Sequence, residues 1–128
     1  MAAAKSATEN ILVVDDDPVH VKLLDNILRE HQYGVVTVAE AAQGLQIAMD
    51  KMPQLIILDV MMPVINGYNF CHILKTQEKY KHIPIIILTS RDEQEDREIG
   101  ERAGADAYLT KPLNIHELLE TIKRLLNK

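Results

Sequence analysis

The residues with chemical potential in this chain are acids, a hydroxyl pair and one lysine, each placed where an apolar run ends. Asp59 closes Leu55-Ile56-Ile57-Leu58, and Asp15, Asp16 and Asp17 follow Ile11-Leu12-Val13-Val14. Thr89 and Ser90 follow the run ending at Leu88, and Lys111 follows the short segment Ala105 to Leu109. Carboxylates held a few ångströms apart repel by about 4 kcal/mol at an effective dielectric constant of 20. Such a cluster either keeps a proton or recruits a cation. Oxygen donors with no histidine or cysteine among them suit a hard ion, Mg²⁺ with Mn²⁺ as a substitute, rather than zinc. A carboxylate can itself be a nucleophile and become an acyl phosphate. A cation, an ammonium group and a hydroxyl would then neutralise the oxygens of a transferring phosphoryl group.

That chemistry requires the residues to meet, and the elements between them say how. Continuous apolar runs of four or five residues suit strands buried on both faces. Asp17 before Pro18 is a helix start, with Asp17 as N-cap, and Val21, Leu24, Ile27 and Leu28 recur at helical spacing after it. Val35 to Val38 is a β-branched strand. Ala41, Ala42, Leu45, Ala48 and Met49 form a helical stripe that ends before Pro53. Asn66-Gly67 turns the chain, and Phe70, Ile73 and Leu74 mark a helix to about Gln77. Ile83 to Leu88 is a fourth strand, with Pro84 near its start. Residues 92–103 read as a charged helix with Ile99 and Ala103 as nearly its only apolar anchors, stopped by Gly104. Asn114 caps a last helix with a stripe of Ile115, Leu118, Leu119, Ile122, Leu125 and Leu126.

Strand and helix therefore alternate five times, which implies a parallel five-stranded sheet with five helices on its two faces. Parallel strands end on one edge, where open α/β sheets carry their sites. Asp15, Asp16, Asp59, Thr89 and Lys111 all arrive there. Each alone has an ordinary alternative: a helix cap, a turn residue, a surface lysine. The alternatives weaken because the five coincide.

At 128 residues, 47% apolar and 26% charged, the chain is one globular domain. A net charge of -5 without a basic cluster argues against nucleic-acid binding, and no apolar stretch is long enough to span a membrane. The lone Cys71 fits packing and a reducing compartment, and a cytoplasmic location is expected. Residues 1–9 read as a disordered tail, with the domain over 10–128. The five histidines fall on different elements without metal-ligand spacing.

Four segments in register carry a family resemblance. Ile11-Leu12-Val13-Val14-Asp15-Asp16, Leu58-Asp59-Val60-Met61-Met62-Pro63 with Asn66-Gly67, Ile87-Leu88-Thr89-Ser90, and Gly104 to Pro112 resemble the receiver domain of two-component response regulators. The resemblance spans about Asn10 to Leu126 and implies a flavodoxin-like fold with sheet order 2-1-3-4-5. It implies that Asp59 is the phosphoacceptor, taking its phosphoryl group from a phosphohistidine on a sensor histidine kinase or a histidine phosphotransfer protein. It makes Asp15 and Asp16 the acidic pair for Mg²⁺, with Asp16 in direct contact, and gives the backbone carbonyl of Met61 as a further ligand. It makes Thr89 the switch hydroxyl, Lys111 the cation on the phosphoryl group, and Tyr108 the aromatic side chain that changes position. A cis bond at Lys111-Pro112 is implied too. Asp17 lies outside that shell, which agrees with its capping role.

The resemblance implies a signalling switch, not an enzyme with an external substrate. Phosphorylation would reshape the face of the fourth predicted helix, the fifth strand and the fifth predicted helix, through which a protein target, an output domain or a second copy would be contacted. Met61 and Arg91 are expected to shield the acyl phosphate from water and lengthen its life. The chain ends just after its last helical stripe, which fits a stand-alone regulator or a receiver cut from a longer protein. A phosphatase of the haloacid dehalogenase type would carry a second acid where Met61 stands, and a flavin-binding module would carry a phosphate-cradling loop where the three acids stand.

Overall fold

The computed structural model describes residues 10–59, 67–89 and 104–127. In chain order the elements are β1 (Asn10–Val14), α1 (Pro18–Glu30), β2 (Gly34–Val38), α2 (Ala41–Lys51), β3 (Leu55–Asp59), α3 (Gly67–Lys75), β4 (Ile85–Thr89), β5 (Ala107–Thr110) and α4 (Ile115–Leu126). All strand pairs are parallel, in the order β2-β1-β3-β4-β5. This is the implied order. Four helices lie among the described residues. The fifth, expected over 92–103, falls outside them.

Side chains alternate across the strands and so build two cores. Leu12, Val14, Ile56, Leu58, Ile85 and Ile87 face one side and pack with Leu45 and Ala48 of α2 and Phe70, Cys71 and Leu74 of α3. Ile11, Val13, Leu55, Ile57, Ile86 and Leu88 face the other and pack with Leu24 and Leu28 of α1 and Leu118, Ile122 and Leu125 of α4. Each such Leu or Ile contributes about 1.5–3 kcal/mol when fully buried. At Gly44, a Cβ would stand 2.9 Å from a methyl of Val14, so α2 approaches β1 as closely as glycine permits.

Helix ends follow their local chemistry. Asp17 caps α1, accepting from the Val19 N–H at 3.0 Å and the His20 N–H at 3.5 Å, with Pro18 at the first position. Asn114 caps α4 by accepting from the Glu117 N–H at 2.9 Å. In the α4 stripe, Leu118, Ile122 and Leu125 are buried while Ile115 is 45% exposed, because it sits in the first turn before the helix reaches the sheet.

Two strand starts differ from expectation. β4 begins at Ile85 rather than Ile83, because Pro84 has no N–H to give and Asp106 Oδ2 takes the Ile85 N–H at 2.8 Å. The same contact holds β5 back to Ala107. Asp106 Oδ2 also meets Lys75 Nζ at 2.8 Å, and Lys75 donates to the carbonyls of Ile83 at 2.7 Å and Lys81 at 3.0 Å. One lysine thus ties the end of α3 to the starts of β4 and β5, at the edge of the sheet opposite the acids.

Candidate functional site

β1 ends at Val14, aligned with Leu58 of β3, so Asp15 and Asp59 extend neighbouring strands at equivalent positions. Asp59 is aligned with Leu88, which puts Thr89 one step beyond it on β4. Thr89 is aligned with Thr110, and the Lys111 N–H donates to the Thr89 carbonyl at 2.7 Å. Register alone thus brings the predicted residues to one edge.

The ligand oxygens of Asp15, Asp16 and Asp59 lie within 4.8 Å of one another. Asp15 and Asp59 are buried, at 1% and 4% exposure, while Asp16 is exposed. Lys111 Nζ lies 3.6 Å from Asp59 Oδ2. Thr89 is fully buried. Tyr108, partly buried, packs on the same core as Ile85 and Ile87, so it shares a sheet face with Thr89 by alternation. The Lys111-Pro112 bond is cis, as implied. Met61 and Arg91 lie outside the described residues.

Burial pushes the Asp15 carboxyl up, but the hydrogen bond from His20, the Asp17 N–H and the charges of His20 and Lys111 more than offset it, leaving the group below its ordinary value. His20 is a site residue that spacing missed, since the sequence shows no histidine among the donors. The first turn of α1 carries it back over β1, and its Nδ1 meets Asp15 Oδ2 at 2.5 Å. A histidine five residues after an acid at a strand-to-helix junction is the signal that points to such a contact.

The donor set fits a hard cation: three carboxylates converge and the described residues add one lysine ammonium at 3.6 Å from one of them. Asp15, Asp16 and Asp59 are the residues that would hold it, and Asp16 is the one most open to a hydrated ion.

Comparison with known proteins agrees with this geometry. The profile of the response regulator receiver domain matches residues 11–123, and the chain belongs to that family. Protein PilH of Pseudomonas aeruginosa is 34% identical over 91% of this chain and 96% of its own length. PhoP of Bacillus subtilis, an alkaline phosphatase synthesis transcriptional regulatory protein, is 38% identical over 94% of this chain and 49% of its own length. The chain likewise spans about half of the regulator RpaA from Synechocystis. Among solved structures, the receiver domain of a Pseudomonas aeruginosa sensor histidine kinase, with magnesium coordinated in its active-site cleft, has a TM-score of 0.88 at 34% identity and covers 95% of this chain and 100% of that one. Chemotaxis protein CheY4 of Vibrio cholerae has a TM-score of 0.87 at 34% identity, over 94% of this chain and 100% of that one. No described helix is long and apolar enough to cross a membrane.

Proposed function

We propose that the protein is a phospho-accepting switch in a cytoplasmic two-component pathway, with Asp59 as acceptor. The supporting observation is a buried Asp59 with two further acids beside it and a lysine ammonium 3.6 Å away, at the end of the central strand. An Asp59 carboxylate oxygen attacks the phosphorus of a phosphohistidine on a kinase or phosphotransfer protein. The new O–P bond forms as the N–P bond breaks, and the donor imidazole leaves with a proton from solvent. Bound at the three acids, Mg²⁺ would offset their charge and hold phosphoryl oxygens. Lys111 stands ready for another of those oxygens, and the Lys111 N–H bond to Thr89 keeps β4 and β5 in step as that happens.

The readout proposed is a shift of two positions on one sheet face. The Thr89 hydroxyl is drawn toward the new phosphoryl group, and Tyr108 repacks into the space beside it. The face around β5 then meets a protein target, an output domain or a second copy. The chain turns over no external metabolite in this reading. The donor reaches Asp59 past α1, where Val19 and Leu23, 77% and 42% exposed and one turn apart, offer apolar contacts on the first turns of the helix.

The test is a phosphotransfer profile against histidine kinases, with Asp59→Asn as control. Transfer to the native protein and none to the variant is expected; equal labelling of both would overturn the assignment. Beryllofluoride with Mg²⁺ should move the amide signals of residues 104–112, and unchanged signals there would count against the switch.

A further inference from the structure

The His20 imidazole makes one polar contact among the described residues, and that contact is with a proposed metal ligand. Its Nδ1 lies 2.5 Å from Asp15 Oδ2, with the ring 12% exposed and the carboxylate 1%. A carboxylate oxygen only accepts, so Nδ1 carries the hydrogen. The other ring nitrogen, Nε2, is buried and has no hydrogen-bond partner among the described residues. Burying a polar nitrogen without a partner is unfavourable. A residue needed only to fill this space would be apolar, so the imidazole is there for what Nδ1 does.

What it does is hold one oxygen of a carboxylate whose other oxygen is held as well. Asp15 Oδ1 accepts from the Asp17 N–H at 3.0 Å. The terminal torsion of an aspartate is otherwise broad. Donors on both oxygens fix the plane of the carboxylate, one from the loop backbone and one from α1. We propose that His20 is a positioning residue of the divalent-cation site, orienting Asp15 through Nδ1 and thereby setting the affinity for Mg²⁺. The proposal rests on the reading of the three acids as that site. It adds to it a side chain that touches neither the ion nor the phosphoryl group. Outer partners that orient metal ligands commonly change affinity by about 10–100-fold when removed.

The experiment is a Mg²⁺ titration of the unphosphorylated protein, followed by amide spectra and calorimetry, on the native chain and on His20→Asn, His20→Gln and His20→Leu. An asparagine amide nitrogen stands as many bonds from Cα as Nδ1 does, a glutamine nitrogen one bond further, and leucine offers no donor. We expect Leu and Gln to weaken Mg²⁺ binding about tenfold or more, and Asn to restore most of it. Amide spectra without Mg²⁺ show whether each variant keeps the fold. Folded Leu and Gln variants that bind Mg²⁺ as the native chain does would overturn the proposal and leave the site reading intact. Equal loss in Asn, Gln and Leu would overturn it as well, since packing and not the hydrogen bond would then be responsible. A native chain that binds no Mg²⁺ would overturn the site reading and the proposal together.

Discussion

Lys111 Nζ stands 3.6 Å from Asp59 Oδ2, and the backbone N–H of the same lysine is bonded at 2.7 Å to the carbonyl of Thr89. One residue thus joins the proposed acceptor to the strand that carries the switch hydroxyl. At 3.6 Å the ion pair leaves room for the ammonium to move onto a phosphoryl oxygen. Replacing Lys111 with methionine keeps the length and removes the charge. Acceptance of phosphate from acetyl phosphate should slow by about 100-fold, the usual cost of losing one preorganised donor to a developing charge. Phosphoprotein accumulation against time measures it, and a rate within a factor of two of the native one would refute the role (an order-of-magnitude criterion).

The exposed pair Val19 and Leu23 gives a prediction of a different kind. Leu23→Lys puts a charge on the apolar strip of α1 without touching the acids. Transfer from a cognate kinase should fall by about tenfold, the equivalent of roughly 1.4 kcal/mol of contact energy. Phosphorylation by acetyl phosphate should stay unchanged, because that donor needs no protein surface. Equal loss with both donors would place the fault in the site and not in docking.

Cys71 of α3 is buried in the core against the sheet, and burial pushes its thiol from 9.0 up to about 12, with Lys75 pulling it back and Asp106 pushing it up further. The folded form therefore keeps its proton where the unfolded chain loses it. The sign follows: this contribution to stability is complete below about pH 9 and is lost as pH rises towards 12. Iodoacetamide at pH 8 should leave the native protein unmodified and label it fully in denaturant. Rapid labelling of the folded chain, read by mass spectrometry, would contradict the burial.

How much of this was legible before the structure differs from residue to residue. The runs ending at Val14, Leu58 and Leu88 are apolar at every position because both sheet faces are covered, and that is visible in a linear sequence. The edge shared by Asp15, Asp59, Thr89 and Lys111 follows from parallel alternation alone. The unequal burial of Asp15 and Asp16 does not, since adjacent residues at a strand end differ only in which way they point. The role of His20 is hidden in the linear sequence because its partner is chosen by the entry angle of α1, which Asp17 and Pro18 set. The late starts of β4 and β5 depend on Asp106, which reaches Ile85 across 21 residues of sequence, and no local pattern announces such a contact.

That contact also supports the last prediction, which concerns stability away from the site. Lys75 is 13% exposed and its ammonium serves Asp106, Ile83 and Lys81 together. Lys75→Met keeps the stem that packs over Gly104, whose φ of +96° brings the chain against it, but leaves two carbonyls and a carboxylate without that donor. Leaving the buried Ile83 carbonyl unsatisfied costs about 1–3 kcal/mol, while water takes over much of the role at the exposed Lys81 carbonyl and at Asp106. A net loss of about 2 kcal/mol is expected, seen as a lower urea midpoint at constant slope. Mg²⁺ affinity should be unaffected, since the latch and the acids stand at opposite ends of the strands. A variant as stable as the native chain would show that the three contacts of Lys75 add nothing beyond what solvent supplies.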